Sequence, residues 1–409
     1  MKFQLVCKKC SKVIDDFATW FKQDQKCTCG CGYAEVRYLN PPTMTNESLQ
    51  SDSDNFQDFY FDHLPIQSRD SIVSFGEGMI PIERWFHLEE AASEYGVDCE
   101  VYVYRNDLNG ASGTFKDISA ALAATVLKEN KVSSYCLAST GNAAVSFATY
   151  LAKAGVEFNV FLPSFADPDS VATIQRTGQN LTVAKGGYGD AKAMAADFHT
   201  HNNVLISGGN TDPLRIESKR TMVFECIRQL GTLPTVYLQA VAGGTSPLAF
   251  EKGYRDLQEI YHESHFDFPR MILVQQDTCD PMVTSWENAV AADFPEGWER
   301  DYVVKENVNT RIGILTAANP GNYPLVAPLV RNSGGSFVRV SEQELPVYGK
   351  QMLQKQNVLL GPASAVCYAG FFESLKKGLI RNGDKVMLNT GESCARASWF
   401  SDAVHALDD

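Results

Sequence analysis

The chain has 409 residues, 44% hydrophobic and 21% charged, with a formal net charge of -13. This length allows one large or two to three medium domains with a buried pocket, and the composition is that of an ordinary soluble globular protein. The acidic balance argues against nucleic acid or an anionic membrane as the main partner, and no apolar run is long enough to span a bilayer; a small anionic substrate would need local basic groups.

Met1 to Cys7 does not lead into a signal-peptide apolar core, so a cytoplasmic location is expected. Five of the eleven cysteines fall within the first 31 residues: Cys7, Cys10, Cys27, Cys29 and Cys31. Cys7-x-x-Cys10 followed by Cys27-x-Cys29-x-Cys31 has the two-knuckle arrangement of a zinc ribbon, whose thiolates enclose a tetrahedral zinc that does no chemistry. The spacing leaves open which two of the last three thiols complete the site, and a metal-free cluster of reduced thiols is the alternative. A zinc site here argues for a reducing compartment. Residues 1–40 make up this ribbon-like segment, and the polar stretch from Asn40 to Asp58, with Pro41-Pro42, reads as a linker. Gly76-Glu77-Gly78 is a loop ahead of another apolar stretch.

Val101-Tyr102-Val103-Tyr104 is β-branched and aromatic, as in a strand, and Asp117 to Lys128 is rich in Ala and Leu, as in a helix. Between them, Asn109 to Asp117 places Lys116 at a strand-to-helix turn. A lysine there is either a solvated first-turn cation or an amine whose pKa is lowered by positive potential and burial, and so a nucleophile. From Ser133 the pattern alternates: strand to Ala138, helix Asn142 to Ala154, strand Phe158 to Leu162, helix Ser170 to Thr177, strand Leu181 to Val183, helix Asp190 to His201, strand Val204 to Ile206. It resumes with strands at Thr235 to Ala242, Arg270 to Gln275 and Asp384 to Asn389, and a helix from Pro247. Such alternation implies an α/β fold with parallel sheets covered by helices on both faces, and two sheets fit the length.

Ligands of such sheets bind at the carboxyl ends of the strands, so the strand-to-helix loops carry the chemistry. Ser139-Thr140-Gly141-Asn142 could hold a carboxylate or an aromatic hydroxyl, or could be an ordinary Ser/Thr cap with a packing glycine. Ala242-Gly243-Gly244-Thr245-Ser246 reads as a phosphate cradle, with a Gly-rich turn as the alternative. It has neither the Gly-Lys-[Ser/Thr] ending of a nucleoside-triphosphate loop nor the Gly-x-Gly-x-x-Gly of a dinucleotide site. Arg215 opens a helix, where the dipole disfavours a cation, and is either aimed at an anionic ligand or solvated. Thr390-Gly391-Glu392-Ser393 ends the last strand with a hydroxyl, or is a simple turn.

Thr114-Phe115-Lys116-Asp117, Ser139-Thr140-Gly141-Asn142, Gly243-Gly244-Thr245-Ser246 and Thr390-Gly391 together resemble the tryptophan-synthase-β family, the fold type II pyridoxal-phosphate enzymes, over roughly residues 70 to 400. Within it, Gly76-Glu77-Gly78, the Asn210 to Arg215 stretch before Glu217, Gly361-Pro362-Ala363-Ser364-Ala365 and the cysteine-rich start are similar to the threonine synthase and cysteate synthase group. The resemblance implies a large cofactor-binding domain of residues 41–130 and 231–409 and a small substrate-binding domain of 131–230. It also implies that Lys116 anchors pyridoxal phosphate and moves the α-proton, that Asn142 meets the ring hydroxyl, and that Ala242, Gly243, Gly244, Thr245 and Ser246 hold the phosphate. Thr390 would face the pyridine nitrogen. Ser139, Thr140 and Gly141 would hold the substrate carboxylate, and Asn210 and Arg215 its phosphate.

A small phosphorylated amino acid is therefore the expected substrate, and a homodimer the expected assembly. The cradle and the Thr390-Gly391-Glu392 ending depart from threonine synthases toward the β-replacing cysteine synthases. The leading expectation is β-replacement on O-phospho-L-serine with sulfite, giving L-cysteate. Threonine synthesis from O-phosphohomoserine is the alternative, and a catalytically retired zinc-ribbon interaction protein the third.

Overall fold

The computed structural model describes residues 2–44, 53–260, 266–306 and 308–407; residues 45–52 of the expected linker lie outside them. Three strands, β1 (Phe3–Cys7), β2 (Val13–Ile14) and β3 (Ala34–Tyr38), form an antiparallel sheet of order β2-β1-β3. Next come β4 (Ile82–Arg84) and β5 (Glu100–Tyr104), then β6 (Ser134–Ala138), β7 (Glu157–Leu162), β8 (Asn180–Val183) and β9 (Leu205–Ile206). The last four are β10 (Val236–Ala240), β11 (Arg270–Gln276), β12 (Ser336–Val340) and β13 (Lys385–Asn389). They make a six-stranded sheet, β12-β11-β10-β13-β5-β4, and a four-stranded sheet, β8-β7-β6-β9. Every pairing in these two sheets is parallel except β4 with β5.

The central strands are buried along almost their whole length because helices cover both faces: in β11, Met271 through Gln276 are all buried, apolar as far as Val274 and then Gln275 and Gln276 at the carboxyl end. Two strands lie outside the alternation expected from the sequence. β4 is a three-residue antiparallel edge, and β12 extends the sheet beyond β11. The last strand, β13, inserts between β10 and β5, with Asn389 level with Tyr104 on one side and Gln239 on the other. That insertion brings the loops after β5, β10 and β13 to one end of the sheet.

Three helices set the site. Asp117–Glu129 is buried over nearly its whole length, so its Ala and Leu content reflects packing between layers. Pro213–Leu230 starts with Asp212 accepting the Leu214 N–H and ends at Gly231 in the left-handed region (φ 68°). It packs between Asp117–Glu129 and Thr245–Ile260. Among the described residues no helix is long and apolar enough to cross a membrane.

Candidate active site

A cavity of about 600 Å³ opens where the carboxyl ends of both parallel sheets meet. Lys116 reaches it from the turn before helix Asp117–Glu129, where its N–H donates to Thr114 Oγ1 (3.2 Å). The turn is stitched to the loop after β13: Phe115 N donates to Gly391 O (3.1 Å) and Ser393 N to Gly113 O (2.8 Å). Asp117 fixes the turn from behind, accepting the Ser112 N–H (2.7 Å) and the Ser112 hydroxyl. The Lys116 ammonium lies 4.0 Å over the Phe115 ring and is pushed down to about 7, by burial first and by Arg215 second, against the pull of Glu392. The solvated-cation alternative does not describe this lysine.

The loop after β6 divides its roles. Ser139 Oγ accepts from Gly141 N and Ala144 N, both at 3.2 Å, so its side chain caps the following helix. Gly141 holds φ 154° beside Ile314. Thr140 and Asn142 line the cavity, and Asn142 Nδ2 donates to Glu392 Oε2 (3.3 Å).

After β10, a Cβ on Gly243 would stand 1.9 Å from Asn210 Nδ2, and one on Gly244, at φ 75°, 2.6 Å from Val326 Cγ2. Gly244 therefore needs glycine for its backbone as well as its space, and a side chain at Gly243 would have to displace Asn210. Thr245 Oγ1 donates to Asn210 Oδ1 (3.0 Å), which ties Asn210 to this cradle. Ser246 Oγ is buried and has no hydrogen-bond partner among the described residues. Arg215 donates from Nη2 to Ser207 Oγ (2.9 Å) and lies over Phe147, while its buried Nε has no partner among the described residues.

Thr390 does not enter the cavity as expected. Its hydroxyl donates to Tyr104 O (2.6 Å) and accepts the Asn106 N–H (3.2 Å), while Asn389 and Gly391 on either side form the wall. Thr390 follows the last residue of β13, and there its hydroxyl turns to the backbone at the end of the neighbouring β5. Glu392 enters instead. Its Oε1 accepts the Ala363 N–H (2.8 Å), and a Cβ on Gly361 would stand 2.5 Å from that oxygen. Burial pushes this carboxyl up to about 7, opposed by the Ala363 N–H, Arg396 and Lys116. Glu392, Lys192 and Lys219 are cavity residues that the loop motifs did not single out. For Lys219 a signal existed, since it stands one helical turn after Arg215. Lys116, Lys192, Arg215 and Lys219 thus face Glu306 and Glu392 in one cavity, and none of the six is in an ion pair among the described residues.

Residues 73–391 match the family described as pyridoxal-phosphate dependent enzyme. The chain belongs to that family. Relatives of this pyridoxal-phosphate enzyme include the threonine synthase of Methanocaldococcus jannaschii, 26% identical over 396 residues, 94% of this chain and 90% of that one. The threonine synthase of Mycobacterium tuberculosis is 27% identical over 335 residues, 80% of this chain and 84% of that one. Among solved structures, the processed form of threonine deaminase isoform 2 from Solanum lycopersicum superposes with a TM-score of 0.61 at 17% identity, covering 91% of this chain and 99% of that one. A fungal L-serine ammonia-lyase from Rhizomucor miehei gives 0.64 at 14%, covering 81% and 98%. These two likenesses show the fold. The cofactor's phosphate fits what the cradle offers: two glycines that admit close approach, a helix N-terminus at Thr245, and the buried Ser246 hydroxyl lacking a protein partner.

Away from the cavity of this pyridoxal-phosphate enzyme, the sulfurs of Cys7, Cys10, Cys27 and Cys29 all lie within 4.8 Å of one another. Cys31, one of the five candidates, stands apart. The turn closed by Gly30 N to Cys27 O (2.7 Å) reverses the chain, and Cys31 Sγ accepts the Tyr33 N–H (3.4 Å).

Proposed function

We propose that this enzyme displaces phosphate from an O-phosphorylated amino acid, with O-phospho-L-serine as substrate and sulfite as the incoming nucleophile, giving L-cysteate and phosphate. The observation that carries the proposal is one cavity that holds Lys116 together with two unlike anion sites. One is the neutral Gly243-Gly244-Thr245-Ser246 cradle, and the other is the cationic Arg215 with its free buried Nε. The cradle would take the cofactor's phosphate, which leaves Arg215 for the substrate's.

Lys116 would carry pyridoxal phosphate, with Asn142 toward its ring hydroxyl. When bound, the cofactor supplies an electron sink for negative charge at the substrate's α-carbon. The chain supplies the rest. Thr140 holds the substrate carboxylate through its hydroxyl and its N–H, since the Ser139 and Gly141 N–H groups already donate to Phe161 O and Ser139 Oγ. Lys116, lowered to about 7, takes the α-proton near neutral pH and can return it. Arg215 holds the phosphate as it leaves. The unpaired cations of the cavity suit a second anion, which supports sulfite over water as the nucleophile. Zinc suits the four clustered thiols, as a closed structural site.

Threonine synthesis from O-phosphohomoserine is the second reading, favoured by the similarity to the threonine synthases across 94% of this chain. The test is phosphate release by the loaded enzyme from O-phosphoserine plus sulfite, with O-phosphohomoserine alone in parallel. Release from phosphoserine with a sulfonated amino acid formed is expected. Release only from phosphohomoserine, with threonine formed, overturns the first reading in favour of the second.

A further inference from the structure

We infer that Lys219 sets the enzyme's preference for a dianionic substrate, by gripping the same phosphate as Arg215 from the next helical turn. The inference rests on the proposal above that the substrate carries a phosphate, and it deepens it. Residues four apart on a helix lie on one face with side chains about 5–6 Å apart, a spacing that two cationic heads can use to straddle one phosphate. Both Arg215 and Lys219 line the cavity, and Lys219 is only 3% exposed.

Its ammonium has no hydrogen bond or ion pair among the described residues. It rests 4.7 Å over the Phe115 ring, which also carries the Lys116 ammonium at 4.0 Å. Asp212, an acid of the same helix start, is already engaged, accepting the Leu214 N–H (2.9 Å). Burial, Lys116 and Arg215 all push this amine well below the ordinary lysine range, so a cation here is costly until an anion arrives.

The back of the helix keeps the pair aimed inward. Glu217 and Arg220, on the opposite face, are fully buried. Arg220 pairs with Glu217 (2.6 Å) and Asp256 (3.0 Å), and Lys252 with Glu217 (3.1 Å). With its back so fixed, the helix holds Lys219 in the cavity. A monoester dianion meets two positive heads there, whereas a monoanion needs only Arg215.

The test uses loaded enzyme, so that the cradle is filled, with inorganic phosphate as the probe. Calorimetry would compare the parent with Lys219→Met and Lys219→Arg, with the visible spectrum and thermal midpoint as folding controls. Lys219→Met is expected to weaken phosphate binding by about tenfold and to raise KM for the phosphoamino acid with kcat changed far less, while Lys219→Arg restores binding. Phosphate affinity unchanged in Lys219→Met overturns the inference. Lys219→Arg as weak as Lys219→Met overturns it too, because a packing role rather than charge would then explain the loss. Should Lys219→Met fail to fold, Lys219→Gln provides the same comparison. A parent that binds phosphate through Lys219 yet releases none from either phosphoamino acid would retire the replacement chemistry and leave the anion site standing.

Discussion

Lys116 is expensive to hold in its charged form. Burial and the Arg215 guanidinium lower it to about 7, with Glu392 compensating only in part. The folded chain then binds fewer protons than the unfolded chain between about pH 7 and the ordinary lysine value of 10.5. Stability should therefore rise with pH through that window and be lower beneath it. In cofactor-free protein, Lys116→Met removes the charge. The variant should be the more stable at pH 7, by several kcal/mol at about 1.4 kcal/mol per pKa unit, and the gap should close toward pH 10. Denaturant unfolding at both pH values measures it, and a gap that is absent at pH 7 or widens with pH refutes the burial argument. Lys116 was legible because a strand, a Gly-rich turn and a helix flank it in sequence. Glu392 was not, because what drives it into the cavity is Gly361 and the Ala363 N–H, some thirty residues away and supplied by another helix. Thr390 misled for the complementary reason. Its hydroxyl finds the β5 backbone, a neighbour only because β13 inserts between β10 and β5.

At the scale of elements, the alternation of strands and helices was readable because parallel strands buried on both faces are apolar runs, while the helices between them have their own period. The short edge β4 and the antiparallel N-terminal sheet lack such runs. What the sequence hides most is how Pro213–Leu230 is held. Tyr38, at the end of β3, donates its hydroxyl to Glu217 Oε2 (2.6 Å), inside the buried network behind Arg215 and Lys219. Tyr38→Phe deletes that donor but leaves Glu217 with Arg220 and Lys252. The expected loss is about 2 kcal/mol, the value of a buried hydrogen bond to a charged group. Denaturant unfolding of the loaded enzyme tests this, and a loss under about 0.5 kcal/mol would mean the cations alone hold Glu217.

At the scale of the molecule, the cysteine-bearing segment is no appendage. Phe3, Leu5, Phe17 and Trp20 belong to the same apolar cluster as Ala121, Leu122 and Val223 of the catalytic body. Polar ties add to it: Arg255 to Glu35 at 3.0 Å, His199 Nε2 beside Asp24 at 3.4 Å, and the Gln25 side-chain amide donating to Ile206 O. Through Tyr38 the segment braces the back of the helix whose front faces the cavity. A metal that closes Cys7, Cys10, Cys27 and Cys29 would lock the end of β1 and the turn after it to the 27–29 turn ahead of β3, and its binding energy would become folding energy for the whole chain. One zinc per chain is expected by elemental analysis, and Cys10→Ser, which removes an exposed thiol of the four, should lower both zinc content and thermal midpoint. Cys31→Ser should leave zinc content unchanged, since Cys31 points to Tyr33. If the two variants lose zinc equally, the four-thiol assignment fails. If neither changes zinc content or midpoint, the cluster is a set of reduced thiols and the brace behind helix Pro213–Leu230 stands on packing and hydrogen bonds alone.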